Sequence, residues 1–593
     1  MRQSLTLIAL LAASAIDAAQ VTFRVIAPGA DSVQVSINGQ ATALTRAQPD
    51  PESLPYFTGP AEAADGAKYK YVIGGAAEGF ERTLKAGMTS TYNDFANRPV
   101  TYADIPELPW PIENEPQWTR SGPKQALFDS NYIPTIWVNA DKAQVDNLVA
   151  NVPKEKLTAT VTIVTANEVK VFSNVTFGLH GAGKKKNNAK QSWNWRLSPG
   201  ETFANRDFFK LRHMEEDPTQ IREKLYADTA RALGTYANEA NMIRLFINKE
   251  AFGTFNLLDD ITEYSFPSAM FYAGKPPAQM GALFDGGSGA SFAFSPTGAE
   301  YYSWVKNPAS PEEVLAIGPL CEAWSKVVKT DDAQIAEFSK QFDVDHFLRF
   351  MVMEYLTGHW DGYWEMQTND GVYRDPTQNN KWFYIGQDFD ATFGVNIPSL
   401  DPNFVGWSYK QYPTAYPAAV MINGLLENPT QRALFEKYLT KTVEVLFNNV
   451  TLGNRIQKYH EFIYPDLQWD RNITQRSPGI NFGWNIEQVK LNLNQGVMAP
   501  NANGGGAQFG LLEWITKKSE AVAKEFAITI TKTPVGPPTN STVPPPAPSG
   551  GIVTSTPPAP TTGAKPANGA GMVSPKGVAT LALVGASLLA LLC

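Results

Sequence analysis

The stretch from Phe347 to Gly394 limits the fold of this chain more than any other. Phe347-Leu-Arg-Phe-Met-Val-Met-Glu-Tyr-Leu356 is almost continuously apolar, which predicts a buried helix. Gly358 is placed to end it. The loop His359-Trp-Asp-Gly-Tyr-Trp364 leads into a predicted hairpin. Its strands are Gly371–Arg374 and Lys381–Ile385, and its turn is Asp375-Pro-Thr-Gln-Asn-Asn380. Asp388-Phe-Asp-Ala-Thr-Phe-Gly394 comes directly after. Taken singly, Asp361 and Asp388 have the makings of turn formers or caps. The information lies in their order.

Buried helix, loop aspartate, hairpin and Asp-Phe-x is the order of a protein-kinase active site. There the loop acid accepts the proton of the substrate hydroxyl, and the acid after the hairpin holds the metal that bridges the phosphates. Two acids are needed because one is committed to the metal while the other stays free for the proton. Upstream, Gly178 to Lys184 satisfies the G-x-x-x-x-G-K part of a P-loop, but Lys185 stands where the Mg²⁺-binding hydroxyl belongs. The residues beyond Lys190 alternate like a strand, and a P-loop opens a helix. A glycine turn and then a strand bearing Lys190 is the kinase manner of holding a nucleotide; a solvated basic turn is the plainer reading. Asp217 to Gly234 predicts a helix with Asp217 as N-cap, Pro218 at the first position, Gln220 in a capping box and Gly234 as C-cap. Glu215, Glu216 and Asp217 offer Lys190 a carboxylate, and surface solvation explains them equally well.

The 593 residues are 43% hydrophobic, which provides for two or three packed domains and excludes global disorder. A net charge of −8 gives no attraction to nucleic acid. Cys321 and Cys593 cannot make a disulfide framework. Residues 1–18 read as a signal peptide. Residues 20–105 read as a small β-sandwich module of short alternating strands, and 106–530 as the domain that carries the chemistry. Residues 534–568, rich in Pro, Ser, Thr and Gly, read as an extended, disordered stalk. Residues 569–593 end in an apolar tail of the kind a GPI transamidase removes, with Asn568 as the attachment residue; a plain tail anchor is the other reading. Membrane contact is therefore expected only through a lipid anchor, at the outer cell surface. Asn174, Asn449, Asn472 and Asn540 begin N-glycosylation sequons.

Three runs carry a resemblance to a known family: Gly358-His-Trp-Asp-Gly-Tyr-Trp364, Asp388 to Gly394, and Arg212-His-Met-Glu-Glu-Asp-Pro-Thr-Gln-Ile-Arg-Glu-Lys-Leu-Tyr-Ala-Asp228. Together they resemble the CotH family, named for bacterial spore coat proteins. The run Gln367 to Lys381 is most similar to the cell-surface invasins of moulds. The resemblance covers most of residues 20–530. It implies an α+β fold with an atypical protein-kinase-like core that binds ATP with Mg or Mn. It implies Asp361 as the catalytic acid, Asp388 and Asp390 as metal ligands, and Lys190 as the nucleotide lysine. This sequence has His180 where bacterial members open the glycine turn with Arg, and a longer hairpin between the acids.

Three functions compete at this point. One is a kinase phosphorylating Ser or Thr of secreted or coat proteins. Another is a non-catalytic adhesin or structural coat protein. The third, a glycosidase using Asp361 and Asp388 as paired acids, is weaker because a buried helix leading to a hairpin is not the usual sugar cleft. The hairpin from Met366 to Lys381 is expected to be an exposed surface for a host-cell receptor, through Gln367, Asn369, Asp370, Tyr373, Arg374, Asp375 and Lys381.

Overall fold

Val21, Phe23 and Val25 alternate with polar residues along the strand Ala19–Ile26, and they enter a core shared with Val33, Val35, Phe57 and Tyr71. The antiparallel neighbours run in the order Lys68–Ile73, Val33–Ile37, Gln40–Arg46, Tyr56–Ala63 and Ala19–Ile26. Gln40–Leu44 pairs with one neighbour, and Thr45 and Arg46 pair with the next. The sheet turns there and closes over its own small core. The computed structural model describes residues 18–181, 188–399, 401–501, 505–537 and 552–554. The proposed signal peptide up to residue 17, Asn540, Asn568 and the apolar tail lie outside them.

Ile26, Tyr56 and Phe95 of this module pack against Trp137, Val164 and Phe246 of a second layer. That layer is a ring of seven strands: β1 (Thr135–Ala140), β2 (Leu157–Val164), β3 (Val169–Leu179), β4 (Trp193–Arg196), β5 (Phe208–Arg212), β6 (Ala240–Ile247) and β7 (Glu250–Leu258). The order is β2-β1-β6-β7-β5-β4-β3, and β3 pairs back onto β2. Phe177, Trp195, Phe209, Leu211, Leu245 and Phe255 fill the interior. Successive side chains of a strand point to opposite faces. With Phe209 and Leu211 inside, Lys210 and Arg212 leave the ring on its outer face. β4 is short, so the first residues of β3 keep a free edge. Ile552–Thr554 pairs there, parallel to Val169–Val171. Within the expected stalk, this β-branched triplet has the composition of a strand.

Between β5 and β6 lies α1 (Arg222–Ala232). It starts several residues later than Asp217 and Pro218 predicted, because Gln220 has a left-handed φ of 56°. Asp217 still caps it from a distance: Oδ2 accepts from the backbone N–H of Ile221 and of Arg222, both at 2.8 Å. Gly234, at φ 75°, stands just past the helix end as its residue type predicted.

The remaining chain is mostly helical. Helix α2 (Val344–Thr357) is the buried one, with Phe347, Phe350, Met351 and Leu356 inside the largest apolar cluster. A short helix α3 (Tyr363–Met366) comes next. Strand β8 (Leu283–Gly286) pairs with β9 (Asp370–Asp375), which pairs with β10 (Lys381–Gly386). Helices α4 (Thr451–Arg471) and α5 (Leu511–Phe526) complete the half that faces the ring. No helix among the described residues is long and apolar enough to cross a membrane.

Candidate functional site

Five elements converge where the ring meets the helical half. The loop after α2 carries Asp361. Gly358, at φ 61°, ends the helix, and a Cβ there would lie 2.5 Å from the Trp514 ring, so only glycine allows α5 this close. Glu354, one turn earlier, pins the loop from beneath. Its Oε2 accepts from Trp364 N–H at 2.8 Å, and its Oε1 accepts from the Tyr384 hydroxyl at 2.8 Å. His359 Nε2 stands 3.4 Å from Asp361 Oδ1. Burial acts to lower the pKa of this imidazole, but the Asp361 carboxylate beside it raises it to about 8. Burial pushes the Asp361 carboxyl up, against the pull of His359.

Asp388, Phe389 and Asp390 come directly after β10. Phe389 stacks on Tyr226 of α1 at 3.7 Å and meets the His359 ring edge-on at 5.6 Å. This apolar anchor fixes the two flanking carboxylates. Glu223, in the first turn of α1, accepts from Phe389 N–H at 2.8 Å. Ligand atoms of Glu223, Asp388 and Asp390 lie within 4.8 Å of one another, a set able to hold a cation. Burial, then the charges of Asp390 and Asp388, push the Glu223 carboxyl up to about 8. Arg212 of β5 reaches across, with Nη2 2.8 Å from Asp388 Oδ1 and 2.7 Å from Asp390 Oδ2. Lys210, two residues earlier on the same face, is buried, and its charge favours the ionised forms of Glu223, Asp260 and Asp285. Burial holds Asp285 of β8 at about 6, although Gln387 donates to it at 2.8 Å.

The structure thus brings Asp361, Asp388 and Asp390 together and leaves Lys190 out. Lys190 precedes β4 instead of lying on it. Its Nζ is 2.7 Å from Asp470 Oδ1 at the end of α4 and 3.9 Å from Glu215, with Phe255 beneath it. A buried lysine committed to a buried aspartate is a structural tie between ring and helices. The lysine that faces the acids is Lys210. Arg212, Glu223 and His359 lie inside the runs that carry the family resemblance, which assign them no role, and Lys210 lies just outside them. Period-two alternation in Phe208-Phe-Lys-Leu-Arg212 marks the last residue and Lys210 as one face; nothing local marks Glu223.

The hairpin also departs from expectation. Gln367, Asp370, Tyr373 and Asp375 are buried, and Asn369, Arg374 and Lys381 are half-buried. Asp375 is held by Arg120 at 2.7 Å and by the Tyr272 hydroxyl at 2.7 Å, and Arg374 pairs with Glu312 at 2.7 Å. Apart from Met366, the exposed part is the tip, Pro376 to Asn380. Polar residue type does not place these side chains at the surface, because they are tied to partners in other elements. Asn174, Asn449 and Asn472 are exposed.

Comparison with known proteins places the chain among relatives of one family. The family model described as CotH kinase protein matches residues 177–493. The chain is 58% identical to Invasin CotH3 of Rhizopus delemar over 540 residues, which is 90% of this chain and 89% of that one. Invasin CotH2 of the same mould is 59% identical over 525 residues, 88% of this chain and 86% of its own. Inner spore coat protein H of Bacillus subtilis is 23% identical over 289 residues, 47% of this chain and 74% of that one.

Proposed function

Because the chain belongs to the CotH family, we propose that it is a cell-surface or coat protein with a metal- and ATP-dependent phosphotransferase site. Its acceptors would be Ser or Thr hydroxyls of secreted or coat proteins. The observation that carries this reading is the clustering of Glu223, Asp388 and Asp390, with Lys210 acting on Glu223 and both aspartates acting on Asp361 by charge. In kinases a lysine on the second strand after the glycine turn and a glutamate on the next helix serve the same site. The ring repeats that connectivity in β3, β4, β5 and α1, with Lys210 and Glu223 in those two places.

The donor set suits Mg or Mn: three carboxylates of one cluster, and hard cations take oxygen ligands. Glu223, Asp388 and Asp390 would hold the ion, which when bound neutralises charge on the phosphates. Asp361, oriented by His359, accepts the proton of the acceptor hydroxyl. Lys210 contributes a fixed positive charge for the phosphate chain. Arg212 already lies between two of the acids, so the ion competes with an internal cation for this place.

A second reading rests on a separate surface. Relatives bear the name invasin, and the tip Pro376–Asn380 is exposed on a rigid base. Recognition of a host-cell receptor there is compatible with chemistry at the base of the same hairpin. The direct test of the first reading is titration of the folded ectodomain with ATP and Mn²⁺. Lys210→Met should weaken binding at least ten-fold, and Lys190→Met should disturb stability more than affinity. The opposite ranking would return the nucleotide role to Lys190.

A further inference from the structure

The end of α4 and the segment after it form an open cavity of about 430 Å³, within the usual range for small-ligand sites. Gln468, Asn472, Gln475, Asn481, Trp484 and Asn485 line it. Side-chain amides dominate this wall. Its charged members, Asp470 and Arg471, are neutralised by each other at 3.7 Å, by Lys190 at 2.7 Å and by Glu215 at 3.0 Å. A lining of amides without net charge suits a neutral, hydroxyl-rich ligand and gives no advantage to an anion. The indole of Trp484 is held by its N–H donating to Glu215 O at 2.8 Å, and its ring is an apolar wall in that polar setting.

One lining residue supplies a way to fill the cavity. Asn472 begins the sequon Asn472-Ile-Thr474. Both Asn472 and Thr474 are exposed. The Asn472 side-chain nitrogen donates to Gln468 O at 3.0 Å, a bond that a glycosylated amide can keep with its remaining hydrogen. Asn472 and Gln468 both line the cavity, so a sugar on the Asn472 side-chain nitrogen starts at its edge.

We propose that this cavity is a saccharide subsite for N-acetylhexosamine units, occupied by the proximal sugars of the chain's own N-glycan at Asn472. A free or foreign saccharide of the same chemistry is the other source. The glycan would brace the segment 473–485 against α4. Asn174 provides an internal control, because it is exposed on the bulged strand β3 and is not among the residues lining this cavity.

The test uses the full chain, processed and purified from a eukaryotic secretory host. Glycopeptide mass spectrometry reads occupancy, and an endoglycosidase that cuts within the chitobiose core reads accessibility. The expected result is occupancy at Asn472, with release in the folded protein at least about five-fold slower than at Asn174. The rates should become equal after denaturation, and Asn481→Ala should speed release at Asn472 alone. If Asn472 is empty, N,N′-diacetylchitobiose should bind the Asn472→Gln protein and fail to bind when Asn481→Ala is added, which assigns the site to a free saccharide. Equal release rates at an occupied Asn472 overturn the proposal. So does an empty Asn472 with no chitobiose binding.

Discussion

Replacing Asp390 by Asn tests the electrostatics of the site before any ligand is added. Arg212 is almost fully buried, between a buried Asp390 and an Asp388 whose side chain is 25% exposed. Removing one partner of a buried pair costs roughly 3–5 kcal/mol, because the other charge is left without compensation. Asp388 remains, so the low end applies, about 3 kcal/mol. At roughly 2.1 cal/mol/K per residue, a unit of about 500 residues has an unfolding entropy near 1 kcal/mol/K, and Tm should fall by about 3 °C. Arg212→Met in the Asp390→Asn background removes the stranded cation. The cycle should then show a coupling on the order of 2 kcal/mol. Urea unfolding in EDTA measures all four proteins without metal. Strict additivity would mean that Arg212 and Asp390 do not interact, and the described geometry would be wrong.

Lys518 of α5 is fully buried against Tyr355 and Trp514, and burial, opposed by Glu365 and Glu525, lowers its pKa to about 7. Between about pH 7 and 10.5 the unfolded chain therefore holds a proton that the folded one lacks, so this group makes stability rise with pH over that window. Lys518→Met should raise stability at pH 7 by on the order of 2 kcal/mol and flatten the slope; an unchanged pH profile would refute the buried neutral amine. Arg120→Ala should speed hydrogen exchange across residues 375–381 several-fold, since Arg120 pairs with Asp375 and donates to Thr377. Unchanged exchange there would show that the hairpin tip is not held by Arg120.

The parts of the site that were legible in the sequence are those that local order encodes. The apolar run of α2, its glycine stop, the hairpin and the two acids around Phe389 all lie within one continuous stretch. Their placement needs only period, turn chemistry and sequence order. Lys190 was misplaced because its partner, Asp470, is 280 positions away in sequence, and no local pattern reveals such a tie. Glu223 was hidden for a related reason: its role comes from where α1 packs, against Phe389, and not from the helix itself. The closed ring was unreadable because β6 joins β1 through a pairing remote in sequence, the parallel contact of Arg244–Ile247 with Thr135–Val138, and β5 joins β7 across the intervening α1 and β6. The hairpin misled in the opposite direction. Its charges look solvated, yet Asp375 and Arg374 are each held by a residue of another segment.

The proposed roles of Asp361 and the Glu223–Asp388–Asp390 cluster are tested most directly by transfer of labelled γ-phosphate from ATP to a Ser/Thr-containing acceptor protein by the ectodomain in Mn²⁺. The wild type should transfer, Asp388→Ala should not, and Asp361→Ala should keep ATP binding with turnover reduced at least a hundred-fold. Undiminished transfer by Asp388→Ala in a clean preparation, or loss of ATP binding in a folded Asp361→Ala protein, would contradict these roles.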